Sequence, residues 1–189
     1  LEQAKKDGIV DVILDGIDAS LSQCDMIFLC TPVEFNASYL KKIRPFLKPG
    51  AILTDVGSTK TNIHKLVTEL DMEDVFVGGH PMAGSAKTGY ENSTDHLLEN
   101  AYYIISPTSK NTPEQIERMK QAALALRAIP LVLNYEEHAF SVAAISRLPH
   151  LIASSLVKLV KDNDGANGTM KRIAAGGFKD ITRIASSSP

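Results

Sequence analysis

Five short apolar runs, separated by stretches with helical spacing, constrain this chain more than any other feature of its sequence. Asp25-Met26-Ile27-Phe28-Leu29-Cys30 is continuous and apolar, the pattern of a strand buried on both faces. Residues 33–47 then carry apolar side chains at helical spacing. Residues 51–55 form the next strand-length run and 60–70 the next helix; 75–78, 101–106 and 130–133 complete the strands. Helix 113–127 has a well-marked start, with Thr112 to cap it, Pro113 at the first helical position and Gln115 to close a capping box. A sixth strand over 10–14 has the weakest pattern. Strands alternating with crossover helices predict an α/β fold with a doubly wound, mostly parallel sheet.

In such sheets ligands bind beyond the carboxyl ends of the strands. That rule selects three segments: Thr31-Pro32-Val33, Asp55-Val56-Gly57-Ser58-Thr59-Lys60, and the glycine-rich run 78–89. In the third, Pro81 is expected to end its strand and leave His80 at the exit. Its glycines let the backbone come close to a ligand. An imidazole there is either a proton-handling group or an ordinary turn residue. In the second, Ser58 or Thr59 is placed to cap the following helix, whose free amides suit an anion. The glycine spacing is not that of a Walker loop.

The pattern changes after residue 134. Residues 136–161 are apolar on most helical faces, with a kink expected at Pro149. One short chain cannot cover such a helix, so a second copy or a further helical domain is expected against it. Arg147, His150 and Ser154 share one helical face, either facing a site or forming a buried polar network. A second helical stretch covers 168–175, and after Gly176-Gly177 another turn runs through Arg183. There, Asp180 and Arg183 either pair at the surface or leave Arg183 to grip a carboxylate.

Charge excludes some partners. With 20 basic and 22 acidic residues the net charge is −2, and no field favours nucleic acid or an anionic membrane. No apolar run is expected to reach the roughly 18 residues of a membrane span. No signal-peptide pattern opens the chain, so a cytoplasmic location is expected. Cys24 and Cys30 read as reduced core thiols, without the spacing of a metal site. The first eight residues read as the last turns of a helix closed by Gly8, and the Ser186-Ser187-Ser188-Pro189 end is abrupt, as in a chain cut at both ends.

The segments Thr-Pro-Val (31–33), Asp-Val-Gly-Ser-Thr-Lys (55–60), Gly-Gly-His-Pro-Met-Ala-Gly-Ser (78–85), Arg-Leu-Pro-His (147–150) and Gly-Gly-Phe-Lys-Asp-Ile-Thr-Arg-Ile-Ala (176–185) occur in one order. That order resembles the prephenate dehydrogenase family from about residue 8 to the last residue. The resemblance implies a Rossmann-like nucleotide-binding domain over 1–134, incomplete at its N-terminus, and a helical dimerisation and substrate domain over 135–189, incomplete at its C-terminus. It implies NAD-dependent oxidative decarboxylation of prephenate to 4-hydroxyphenylpyruvate by a homodimer, with no metal. Arogenate as substrate, NADP as cofactor and a non-catalytic binding domain are the alternatives. By position, His80 resembles the catalytic histidine that takes the proton of the substrate's ring hydroxyl, and Ser58 the serine that helps hold that hydroxyl. Arg183 resembles the arginine on a substrate carboxylate, with His150, Asp180 and Arg147 as further substrate-binding residues. Thr31, Pro32, Val33, Asp55, Gly57 and Ser58 resemble the cofactor-side turns. The chain departs from the family in lacking the Gly-x-Gly-x-x-Gly fingerprint, in carrying Arg147 where relatives often have His, and in carrying Ala86 where some have Glu.

Overall fold

A computed structural model describes residues 1–85, 87 and 89–186; Ala86 lies outside the described residues. Two units emerge, Leu1–Ala139 and Phe140–Pro189.

In the first unit a short helix α1 (Glu2–Lys6) ends at Gly8, whose φ of 73° supplies the left-handed turn. Residues 10–14, a candidate strand by sequence, are irregular. β1 (Met26–Leu29) pairs in parallel with β2 (Ile52–Asp55), and Leu29 lies opposite Asp55. Between them the chain makes a 3₁₀ turn, α2 (Asn36–Ile43) and a second 3₁₀ turn. β2 meets the next segment in parallel through a bridge from Leu53 to Phe76, which leads into β3 (Val77–Pro81). The helix before it is α3 (Thr61–Glu69).

The sheet then departs from the expected parallel pattern. β3 pairs antiparallel with β4 (Tyr102–Pro107), His80 opposite Ile104. No α-helix crosses over between these strands among the described residues, and an antiparallel pair needs none. β4 pairs in parallel with β5 (Ile129–Val132) after α4 (Pro113–Ala125). Thr112 caps α4 as its sequence requires: the Gln115 amide donates to Thr112 Oγ1 at 3.2 Å, and the Thr112 amide to Gln115 Oε1 at 2.8 Å.

Adjacent residues of β2 point to opposite faces, which gives the sheet two cores. Leu53 packs with Leu29, Leu40, Ile43, Ile63, Val67 and Phe76, under α2 and α3. Ile52 packs with Val77, Ile105, Met119 and Ala123, under α4. Cys24 is half-buried and Cys30 exposed, so neither is a core thiol as expected. Cys30 follows the last residue of β1, where the chain leaves the sheet.

The second unit is helical. The expected long helix is broken into α5 (Tyr135–Val142), which begins in the first unit, a wide π turn at Ala143–Arg147, and α6 (Leu148–Asn163). Pro149 has no amide to donate to the carbonyl four residues back, and the wide turn absorbs that loss just before it. α7 (Thr169–Ile173) and α8 (Gly176–Thr182) follow. α8 and the 3₁₀ turn Arg183–Ser186 pack on α6. Val142 and Ala153 are the buried apolar side chains described in this unit, while Phe140, Ile145, Leu151 and Ile173 are exposed. Taken as one run, Tyr135–Asn163 is 29 residues and, by length and composition only, apolar enough to cross a membrane. The sequence expectation of no such run is corrected to that extent.

Candidate active site

β1, β2 and β3 run the same way, so their carboxyl ends share one edge of the sheet. The turn after β2 is organised from inside. Asp55 is fully buried, and its Oδ2 receives Lys60 Nζ at 2.6 Å and the Gly57 amide at 3.0 Å. Lys60, equally buried, also donates to the Gly57 carbonyl at 2.6 Å. Burial holds the Asp55 carboxyl above the usual carboxylate range despite the pull of Lys60, and the same burial pushes the Lys60 ammonium down. The lysine thus ties the turn that a hydroxyl cap was expected to tie. α3 starts after Lys60 with no side-chain cap bond, and Ser58 is left exposed at the tip. Asp55 is turned inward as a brace.

The brace reaches the next strand. Asp55 Oδ1 accepts from the Gly79 amide at 3.3 Å, which ties the Ser58 turn to the residue before His80. A Cβ on Gly79 would stand 2.6 Å from the Asp55 carbonyl oxygen and 2.8 Å from the Tyr103 hydroxyl. One on Gly78 would stand 2.9 Å from His64 Nε2. These glycines therefore serve interior packing, whereas the sequence suggested close approach to a ligand. His80 lies within β3, with Pro81 as its last residue, rather than past the strand's end.

His80 is 8 % exposed, and its Nδ1 lies 2.8 Å from Nε2 of His138, which is fully buried on α5. The rings meet edge-on, with centroids 5.1 Å apart. In the sequence His138 belongs to no motif and sits among mostly apolar neighbours. Asn134 caps this helix by accepting from the Glu137 amide at 2.7 Å, and His138 follows it by one helical turn. A third histidine, His64 on α3, is 5 % exposed, stacked on Tyr135 and edge-on to Phe76. Burial, helped by the Lys60 charge, lowers it to about 4, so it is neutral at physiological pH.

On the cofactor-side turns, Thr31 donates to Asn36 Oδ1 at 3.1 Å, and Pro32 is exposed. A Cβ on Gly57 would stand 3.0 Å from Val33, so the turns after β1 and β2 lie side by side. In the second unit Arg147 ends the π turn, and His150 lies half-buried on the first turn of α6. Asp180 is exposed on α8 and Arg183 exposed just after it, and no ion pair joins them. No cluster of His, Cys, Asp and Glu suited to a metal occurs among the described residues.

Two family models match this chain. The prephenate dehydrogenase nucleotide-binding domain covers residues 1–129, and the prephenate dehydrogenase dimerization domain covers 134–189. The chain belongs to the prephenate dehydrogenase family. It is 37% identical to the prephenate dehydrogenase of Bacillus subtilis over 188 residues, which is 98% of this chain and 51% of that protein. It spans about half the length of the curated prephenate dehydrogenases it matches. Among solved structures, the arogenate dehydrogenase of Synechocystis superposes with a TM-score of 0.89 at 31% identity, over 100% of this chain and 67% of that one. The prephenate dehydrogenase of Aquifex aeolicus, in complex with hydroxyphenyl propionate and NAD+, gives 0.85 at 31% identity, over 100% and 66%. The fold is the mixed α/β, Rossmann-type arrangement with a helical C-terminal part that these neighbours share.

Proposed function

We propose that the protein oxidises and decarboxylates prephenate to 4-hydroxyphenylpyruvate, as a cytoplasmic homodimer, and that His80 is its general base. The observation that carries this reading is the placement of His80. It is a buried imidazole at the carboxyl edge of the sheet, held by His138 and tied through Asp55 to the turn bearing Ser58. A family chain with that histidine intact can take the proton of the substrate's ring hydroxyl while hydride leaves the ring. Ser58, exposed at its turn, is proposed to hold the same hydroxyl.

The adjoining turns with Thr31, Pro32, Val33, Gly57 and Ser58 fit the nicotinamide side of a dinucleotide, because they lie together at the ligand-binding edge. NAD, when bound, supplies the hydride acceptor. The chain carries no Gly-x-Gly-x-x-Gly turn for the phosphates, so its own residues account for only that side. Asp55 enters as the brace of the turn. Arg183, His150, Arg147 and Asp180 are proposed as substrate-binding residues on the family motif, with Arg183 on a carboxylate. The exposed apolar side chains of α5 and α6, in a segment that matches a dimerization domain, are proposed to meet a second copy.

The test is NAD reduction by the full-length protein with prephenate, with His80→Ala alongside. Turnover is expected in the first, and a loss of roughly 10²–10⁴ in kcat in the second. Near-normal turnover in the variant would sink the assignment. The likeness to an arogenate dehydrogenase favours one second reading, in which the substrate carries an amino group in place of the keto group. Running arogenate and NADP in the same assay decides between them.

A further inference from the structure

We propose that His138 is a positioning residue that holds His80 as its Nδ1–H tautomer, so that the substrate's proton is taken at Nε2. The inference rests on His80 being the base.

Two imidazole nitrogens 2.8 Å apart share one proton, so one ring donates and the other accepts. Suppose the proton sat on His138 Nε2. Neutral His80 would then carry its own proton on Nε2, and that nitrogen could only donate. With the proton on His80 Nδ1, Nε2 keeps the lone pair that a base needs. When His80 takes up the substrate's proton, both its nitrogens bear hydrogen and the bond to His138 is unchanged. The pair passes through both protonation states without rearranging.

The surroundings suit a neutral acceptor. His138 is fully buried, which disfavours a charge on it. His64 on α3, neutral for the reasons given, is electrostatically coupled to it, and Glu136 lies two residues before it on its own helix. Beyond them lies Lys60, held on Asp55 at 2.6 Å. The Lys60 charge opposes a second cation in this interior. The backbone fixes where the ring stands: the His138 amide donates to the Asn134 carbonyl at 3.0 Å, in the turn that Asn134 caps. A carboxylate in place of His138 would set the same tautomer. It would also put a negative charge beside the base that must meet a dianionic substrate, and an imidazole avoids this.

The experiment uses the full-length protein, with kcat and KM for prephenate measured across pH for His138→Leu, His138→Gln and His80→Ala. His138→Leu is expected to lower kcat by at least about tenfold with little change in KM, as the wrong tautomer does in other histidine bases. The acid limb of kcat/KM should move to lower pH, because the His80 imidazolium loses its acceptor. His138→Gln can present Oε1 where Nε2 stood and should restore most of the rate. Nitrogen-15 spectra of the unmodified protein should show His80 protonated on Nδ1 at neutral pH, a readout that needs no variant to fold. His80 protonated on Nε2 in that spectrum overturns the inference. So does a His138→Leu protein with normal kcat and an unchanged pH profile while His80→Ala is inactive, and that result leaves the base assignment standing. Full turnover in His80→Ala overturns the base assignment and this inference with it.

Discussion

The buried His64 should make the protein's stability fall with pH in a window that one side chain defines. Its native pKa is about 4, below the ordinary 6.5, because burial and the Lys60 charge disfavour the imidazolium. A base with a depressed native pKa contributes stability above its unfolded value and loses it as pH falls toward the native one. Here the loss begins near pH 6.5 and runs down to about 4. At about 1.36 kcal/mol for each factor of ten in proton affinity, the full window is worth about 3 kcal/mol. The part between pH 6.5 and 5 is worth about 2 kcal/mol by the same rule. The assay is urea unfolding at several pH values from 8 to 5, for the protein and for His64→Leu. Every other titrating group is common to both, so the difference between the two curves reports His64 together with its coupling to Lys60, Glu136 and His138. The variant's absolute stability can differ, since it loses the stack on Tyr135, but its pH slope should be shallower. Identical slopes in the two proteins would show that His64 is not buried as a neutral ring, and the reasoning would fail.

The remaining predictions follow from the same interior. Lys60→Met leaves Asp55 as an uncompensated buried charge and should cost about 3–5 kcal/mol in an unfolding titration; adding Asp55→Asn should recover more than half of it. Gly79→Ala forces a methyl to within 2.6 Å of a backbone carbonyl oxygen and should cost about 1–3 kcal/mol, read as a lowered Tm. Arg183→Ala should raise KM for prephenate by about tenfold or more with kcat less affected, as for a lost charge-assisted carboxylate contact; unchanged kinetics would remove its role.

The apolar runs announced the strands because a strand buried on both faces has few other ways to be written, and β2 is buried at every position. The α4 cap was equally plain, since a capping box is a local pairing of two residues, Thr112 and Gln115. The sense of β4 was not legible. Nothing local distinguishes a long loop that returns antiparallel from one that crosses over, and the reversal is set by distant pairing partners, Gly79 with Ile105 and Gly78 with Ser106. The Ser58 cap failed for a related reason. A hydroxyl beside a helix start looked sufficient, yet Lys60 folded back to Asp55 and Gly57 and tied the turn first. At the site His80 was visible through its motif, but His138 was not, because the contact spans 58 positions and has no sequence signature of its own.

The Asp55 brace has a consequence for how the protein comes to hold its base at all. Its Oδ1 accepts from the Gly79 amide, and only a residue without a Cβ fits there. If β3 slid by one residue, either His80 would be driven to the Asp55 carbonyl or Val77 into the space beside His64 that Gly78 leaves. Every side chain of the strand would also turn to the other face, His80 included. The error that misplaces the histidine is therefore the one the interior tolerates least. Molecules that fold far enough to bury Lys60 and Asp55 together have already set the register that presents His80, so imperfectly aligned copies should be eliminated as unstable protein rather than persist as a slow enzyme.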